Sequence, residues 1–131
     1  MRSTHTHHVA LLTANFERIR AFYTDVLGFP VRGEFPGHNI VFVDVGSTTI
    51  EIVEDTGAPS VREAGGWGHL ALEVVDVDAT FAELSAQGIQ FHVQPKNFPE
   101  TEPSVRIAFF KDPDGNVLEL VQPLGGRYPV R

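Results

Sequence analysis

The sequence contains no cysteine among its 131 residues. Disulfide bonds, thiolate metal sites and cysteine nucleophiles are therefore excluded, and cysteine usage gives no information on the redox compartment. The sequence also lacks a Walker phosphate-binding loop, a Rossmann G-x-G-x-x-G fingerprint and a Gly-x-Ser-x-Gly nucleophile elbow. These absences leave histidines and carboxylates as the main candidates for chemistry.

Positive charge and long apolar runs are scarce as well. Lys and Arg number 10 against 17 Asp and Glu, which gives a net charge of −7. Such an acidic balance disfavours nucleic acid or an anionic membrane as a partner. No apolar run approaches the roughly 20 residues of a membrane span, and the N-terminus lacks the apolar core of a signal peptide. We therefore expect a cytoplasmic location.

Two stretches of the sequence repeat the same order of predicted elements. Each begins with a strand opened by a histidine, continues with a helix ended by a glycine, and closes with a strand that carries a glutamate between aliphatic residues. The equivalent residues are His8, Gly28 and Glu51 in the first half and His69, Gly88 and Glu119 in the second. Repetition of a whole supersecondary unit predicts a pseudo-twofold arrangement.

Local patterns place the elements of each half. Alternation and turn signals predict strands over residues 8–12, 29–32, 40–45, 48–54, 69–74, 89–93, 105–111 and 116–121. Asn15 and Asp76 are the predicted N-caps of the two helices. The prolines of residues 94–103 predict a loop, and Asp112-Pro113-Asp114-Gly115 predicts a hairpin turn.

Together these elements predict a single α+β domain over residues 1–131. Its two tandem βαβββ modules span about residues 5–54 and 67–123, with a linker over residues 55–66. We expect each curved, mixed sheet to bury one face against its helix. The opposite faces are then expected to line a shared cleft.

Four chemically suitable side chains leave the predicted cleft faces. They are His8, Glu51, His69 and Glu119. Two imidazoles and two carboxylates suit a divalent ion such as Zn, Ni, Co, Mn or Fe, and the carboxylates balance the charge of the ion. A single His or Glu on a strand is more often solvated than a ligand. The equivalence of the two halves is what favours a metal site.

Other histidines near the N-terminus compete for the first ligand position. His5 and His7 lie close enough in sequence to replace His8. On an alternating strand His7 shares the face of Val9 and Leu11, the predicted helix side, so we favour His8.

A few further residues admit more than one interpretation. Glu73 shares the face of His69 and is either a partner of that ligand or part of the cleft rim. His38 and His92 are interpreted as structural or solvated. Phe42, Trp67 and Phe109 either wall a pocket or belong to the core.

Three motifs carry a resemblance to a known family. They are Phe22-Tyr23-x-x-Val26-Leu27-Gly28-Phe29, Gly68-His69-Leu70-Ala71-Leu72, and Asp112-Pro113-Asp114-Gly115 followed by Leu118-Glu119-Leu120. Together with the paired modules, they resemble the vicinal oxygen chelate superfamily over residues 5 to 123. That superfamily includes glyoxalase I, bleomycin and fosfomycin resistance proteins, methylmalonyl-CoA epimerase and extradiol dioxygenases.

The resemblance implies a function and an assembly. The order His8, Glu51, His69, Glu119 matches the metal quartet of bacterial glyoxalase I. It implies lyase or isomerase chemistry on a small oxygenated substrate, in which a proton moves through a metal-stabilised enediolate. Glu119 is the expected principal base and Glu51 its counterpart. The resemblance also implies a homodimer, with the modules paired within one chain or across two.

Departures from the glyoxalase I pattern keep other functions open. Leu12 occupies the place of a family arginine, Glu83 that of a basic residue and Asp55 that of an asparagine, which argues against a glutathione-linked substrate. Arg18, Lys96, Arg106 and Lys111 are other sources of positive charge. The alternatives are an extradiol-type dioxygenase or resistance-type transferase, and a bleomycin-resistance-like protein that binds a drug or metabolite.

Overall fold

The computed structural model describes residues 1–57 and 66–129. The chain divides into two compact units between residues 65 and 66. Residues 58–65, most of the predicted linker, lie outside the described residues. Within the described ranges, no helix has the length and apolar character needed to cross a membrane.

Each unit consists of a four-stranded mixed sheet and a helix. In the first unit the elements are β1 (His8–Thr13), α1 (Phe16–Ala21), β2 (Val31–Glu34), β3 (Ile40–Asp44) and β4 (Thr49–Glu54). In the second they are β5 (Leu70–Glu73), α2 (Val77–Ala86), β6 (Phe91–Phe98), β7 (Val105–Lys111) and β8 (Val117–Pro123).

The two sheets have the same topology. The strand order is β1-β4-β3-β2 in the first and β5-β8-β7-β6 in the second. In each sheet the first strand runs parallel to the last strand of its unit, and the remaining pairs are antiparallel. This repetition confirms the predicted α+β class with two tandem βαβββ modules.

The first helix lacks a side-chain cap at its N-terminus and continues into a π-helical turn at its C-terminus. Asn15 occupies the N-cap position, but its side chain makes no capping hydrogen bond. Instead its backbone N–H donates to Thr13 Oγ1 at 2.9 Å. After α1 the chain continues as a π-helical turn over Phe22–Val26. Gly28 then adopts a φ of 79°, as its predicted place at the helix end requires.

The second helix follows the prediction closely. The Asp76 side chain accepts a hydrogen bond from the Ala79 backbone N–H at 3.0 Å, which confirms it as the N-cap. Gly88 ends the helical segment with a φ of 93°. Two sequence signals, a capping carboxylate and a C-terminal glycine, therefore fix both ends of α2.

Alternation along the central strands creates the core and the open face. Ile50 and Ile52 of β4 are buried on the side of α1, as are Leu118 and Leu120 of β8 on the side of α2. Successive side chains of a strand point to opposite faces. The glutamate between each of these pairs therefore lies on the sheet face opposite the helix, which we call the open face.

The predicted loop over residues 94–103 is wrong in its first half. β6 continues through Pro95 to Phe98. It lies at the edge of its sheet, and its register is irregular between Val93 and Lys96. An edge strand needs no N–H donor on its outer side, so a proline is tolerated there.

Candidate functional site

A histidine and a glutamate meet on the open face of the first unit. The parallel register sets Ala10 of β1 beside Glu51 of β4, and His8 lies two residues before Ala10 on the same face. His8 Nε2 lies 3.6 Å from Glu51 Oε1. Phe42, which pairs with Glu51 from β3, packs against the His8 ring with a centroid distance of 5.6 Å.

The second unit repeats this arrangement residue for residue. Ala71 of β5 and Phe109 of β7 both pair with Glu119 of β8. His69 Nε2 lies 3.1 Å from Glu119 Oε1. The His69 ring packs edge-on against Phe109, with centroids 5.4 Å apart. Each unit thus brings an imidazole and a carboxylate together beside a phenylalanine on its open face.

The spacing within each pair suits a shared metal ion. Ligand atoms bound to one ion at about 2.1 Å lie roughly 3.0 Å apart at a right angle and roughly 3.4 Å apart at a tetrahedral angle. The 3.1 Å of His69 and Glu119 falls in this range, and the 3.6 Å of His8 and Glu51 lies just above it. The donor set of imidazole and carboxylate also suits a borderline ion such as Zn or Ni.

Each unit on its own supplies two of the four predicted ligands. Within the described residues of either unit, no three His, Cys, Asp or Glu side chains lie close enough together to hold a metal ion. A site built from all four residues therefore stays a prediction.

His7 lies on the open face of the first unit, where strand alternation does not predict it. Its ring lies 6.2 Å from the ring of Phe42, on the open face, so the predicted placement with Val9 and Leu11 is wrong. His7 precedes β1 and does not follow the strand alternation. Its Nδ1 lies 2.8 Å from His8 Nδ1. A hydrogen bond at Nδ1 fixes the ring of His8 and directs its Nε2 toward Glu51.

The second strand of each unit adds a residue that the sequence did not predict at the site. The register shifts between Val31 and Gly33 in β2, and at the equivalent place between Phe91 and Val93 in β6. The residues at these two bulges are Arg32 and His92. The His92 ring lies 6.1 Å from Phe109, beside the second His–Glu pair. No periodic sequence signal marks a bulge, so the sequence alone does not place His92 beside this pair.

Other predicted participants lie away from the pairs. Glu73 pairs with Arg127 at 3.1 Å rather than with His69. The Trp67 side chain is 90% exposed, so it does not belong to the core of its unit.

The charge of Arg106 is engaged in an ion pair outside the candidate site. Its guanidinium contacts Asp78 with two nitrogens, of which Nη2 lies 2.9 Å from Oδ1. Nη1 donates to Asn97 Oδ1 at 3.0 Å. The hydrogen bonds from Arg106 lower the pKa of the Asp78 carboxyl group. This cluster ties α2 to the sheet and supplies no free cation to the open face.

Comparisons with known proteins agree with this architecture. Residues 5–120 match the family described as the Glyoxalase/Bleomycin resistance protein/Dioxygenase superfamily. The Escherichia coli protein YaeR is 33% identical, over 88% of this chain and 94% of its own. Human mitochondrial methylmalonyl-CoA epimerase is 29% identical, over 88% of this chain and 72% of its own.

A solved structure extends the comparison to binding proteins. TnmS3, an antibiotic binding protein from Streptomyces, is 31% identical and superposes with a TM-score of 0.73. The match covers 94% of this chain and 98% of TnmS3. With the family match spanning most of its length, the chain belongs to the Glyoxalase/Bleomycin resistance protein/Dioxygenase superfamily.

Proposed function

We propose that the protein is a metal-dependent enzyme that transfers a proton at a carbon next to a carbonyl group. The reaction class is that of a lyase or isomerase, and the substrate is a small oxygenated molecule. The observation that carries this proposal is the His–Glu pair that recurs beside a phenylalanine on the open face of both units. The relationship to an epimerase supports it, because inverting a stereocentre can proceed by removing and returning a proton.

His8, Glu51, His69 and Glu119 are the proposed ligands of a divalent ion, with Ni, Zn, Co, Mn and Fe as candidates. When bound, such an ion supplies positive charge that stabilises the oxyanion formed as the proton leaves carbon. Two imidazoles hold the ion without adding charge, and two carboxylates offset it. Since each unit holds two of these residues, a complete set needs two units, from one chain or from two.

Glu119 is the proposed principal base and Glu51 its counterpart. Their side chains are only 15% and 18% exposed, so few water molecules compete for their oxygens. Each carboxylate contacts its histidine through Oε1. With Oε1 and the histidine Nε2 as ligands of the proposed ion, Oε2 remains as the oxygen that takes the proton from carbon.

We further propose that the substrate is not a glutathione conjugate. The position four residues after His8 is Leu12, whose side chain is apolar and 47% exposed. It cannot form the ion pair that an arginine would offer to a glutathione carboxylate.

The first test is elemental analysis of protein purified without added metal. We expect near-stoichiometric Ni, Zn, Co or Mn in the wild type and its loss in Glu51→Ala and His69→Ala. Glu73→Ala is the matched control, because this strand glutamate pairs with Arg127 instead. Absence of metal from the wild type, even after reconstitution, would overturn the proposal. Iron kept in Glu51→Ala and lost in His69→Ala would favour an oxygenase with two His and one Glu.

A second candidate function is the sequestration of a drug or metabolite without reaction. The identity of 31% with an antibiotic binding protein favours it. In that case His69→Ala and Glu119→Ala would leave ligand affinity unchanged. Loss of both metal and turnover in the same variants would exclude this candidate.

The proposed assembly is a homodimer. Light scattering on the metal-loaded protein tests it, with a mass of twice 14.4 kDa as the expected result. A strict monomer that still binds metal would contradict a site shared between two chains.

A further inference from the structure

A depression of about 410 Å³ lies in the first unit, beside the His8–Glu51 pair. Its lining includes Arg32 and Gly33 of β2, Phe42 and Asp44 of β3, and the hairpin residues 46–49. Phe42 forms part of the wall and also packs against His8 at 5.6 Å between ring centroids. The depression therefore borders the predicted metal ligands of this unit.

Arg32 contributes a cation to the lining of this depression. Its Nε pairs with Asp44 Oδ2 at 3.2 Å, and the other oxygen of Asp44 accepts the Gly46 backbone N–H at 2.8 Å. Asp44 is thereby held by the hairpin and in turn holds the guanidinium. Among residues 1–57 and 66–129, neither Nη1 nor Nη2 of Arg32 has a partner. These two nitrogens form the fork that binds a carboxylate with two parallel hydrogen bonds.

Two further features favour a ligand here. A Cβ added at Gly33 would meet no atom within 4 Å, so the space in front of β2 is open. The Phe42 ring, which packs on Phe35, offers an apolar wall to the body of the ligand.

We propose that this depression binds the carboxylate end of the substrate, with the Arg32 fork as the specificity-determining contact. The substrate is then an oxygenated carboxylic acid whose apolar part lies against Phe42. That this ligand is a substrate rests on the proposed function, whereas the binding of a carboxylate to Arg32 does not depend on it. Asp44 offsets the charge of Arg32, so recognition depends on the geometry of the two Nη donors and not on a net positive field.

The test is an NMR titration of the ¹⁵N-labelled full-length protein with benzoate, and separately with benzamide, at constant ionic strength. Benzamide keeps the ring and removes the negative charge. We expect saturable amide shifts at Gly33, Asp44 and Gly46 with benzoate, and at least about tenfold weaker binding of benzamide. Arg32→Gln should weaken benzoate binding about tenfold or more. Arg20→Gln is the matched control, because Arg20 pairs with Glu34 outside the depression.

Equal affinity for benzamide and benzoate, or unchanged affinity in Arg32→Gln, would overturn the proposal. Gly33→Val gives an independent check, since the added side chain projects into open space and should abolish the benzoate shifts. The Glu51→Ala variant separates this proposal from the metal proposal. If Glu51→Ala loses metal and keeps benzoate binding, the metal proposal and the carboxylate-binding proposal are both supported. If the wild type binds benzoate at Arg32 without ever binding metal, only the metal proposal fails.

Discussion

The contact between His7 and His8 leads to a quantitative prediction about metal affinity. The Nδ1 atoms of the two rings lie 2.8 Å apart, so His8 has a hydrogen-bond partner on the nitrogen that does not face Glu51. Partners of this kind hold a metal-binding imidazole in one orientation and in one tautomer. His7→Phe removes the nitrogen and keeps an aromatic ring against Phe42. It therefore isolates the hydrogen bond from the ring packing.

The expected loss follows from what such partners contribute. Removing the hydrogen-bond partner of a metal ligand typically weakens metal binding by about 10- to 100-fold, or about 1.4 to 2.8 kcal/mol. Competition with a chromophoric chelator measures the affinity for Zn or Ni directly. His5→Phe is the control, since His5 has no ring contact with His8 or Phe42 within the described residues. His8→Phe should lose far more affinity than His7→Phe.

Two results would refute this reasoning. Unchanged affinity in His7→Phe would mean that the Nδ1 contact does not support His8. A loss as large as that in His8→Phe would mean that His7 is itself a ligand, as the sequence alone allowed. Circular dichroism of each variant checks that the first unit stays folded.

The remaining predictions concern stability. Asp78→Asn should destabilise the protein slightly at neutral pH. The low pKa of Asp78 beside Arg106 stabilises the fold above the ordinary pKa of this carboxyl group, and this contribution disappears as the pH falls through the lowered value. Urea unfolding measured across acidic pH should therefore show that the difference in unfolding free energy between the wild type and Asp78→Asn vanishes as the pH falls. Phe110→Ala, at a fully buried ring, should cost about 3 to 5 kcal/mol in urea unfolding, and a cost below about 1 kcal/mol would contradict the core assignment. Asp112→Ala should cost about 2 to 4 kcal/mol, because the backbone N–H groups of Asp114 and Asn116 lose their acceptor. Asp112→Asn keeps an acceptor oxygen and should cost less in the same assay.

The order of elements could be predicted because local signals agree with the repeat. Asp76 caps α2, Gly28 and Gly88 take positive φ at the helix ends, and β7 spans the predicted residues. The turn at Asp112 is confirmed too, since its Oδ1 accepts the Asp114 backbone N–H at 2.9 Å. Each of these features depends on a few neighbouring residues, which the sequence displays directly.

The features that the sequence did not predict depend on residues that are neighbours in space and not along the chain. The extension of β6 through Pro95 follows from its place at a sheet edge, which only the assembled sheet defines. The π-helical turn over Phe22–Val26 has the same apolar spacing as an ordinary helix. The ring of His7 reaches Phe42 because the chain before β1 is free of strand geometry.

The sequence predicts part of the candidate site. Within each unit a histidine and a glutamate lie close together because neighbouring parallel strands carry them on the same face. Arg32 and His92 could not be found this way, since a register shift brings each of them into play. A site formed by all four ligands stays a prediction, to be decided by metal analysis.

The strand order has a consequence for how such a protein can diverge. Glu51 and Glu119 lie on β4 and β8, which have a strand on either side, whereas the bulges at Arg32 and His92 lie on β2 and β6, at the sheet edges. A change on an edge strand disturbs one neighbouring strand, but a change on a central strand disturbs two. The two proposed bases thus lie on central strands, whereas the proposed recognition residue Arg32 lies on an edge strand. If Arg32 binds the substrate as proposed, exchanging the residue at its bulge would change substrate recognition while the carboxylates stay in place.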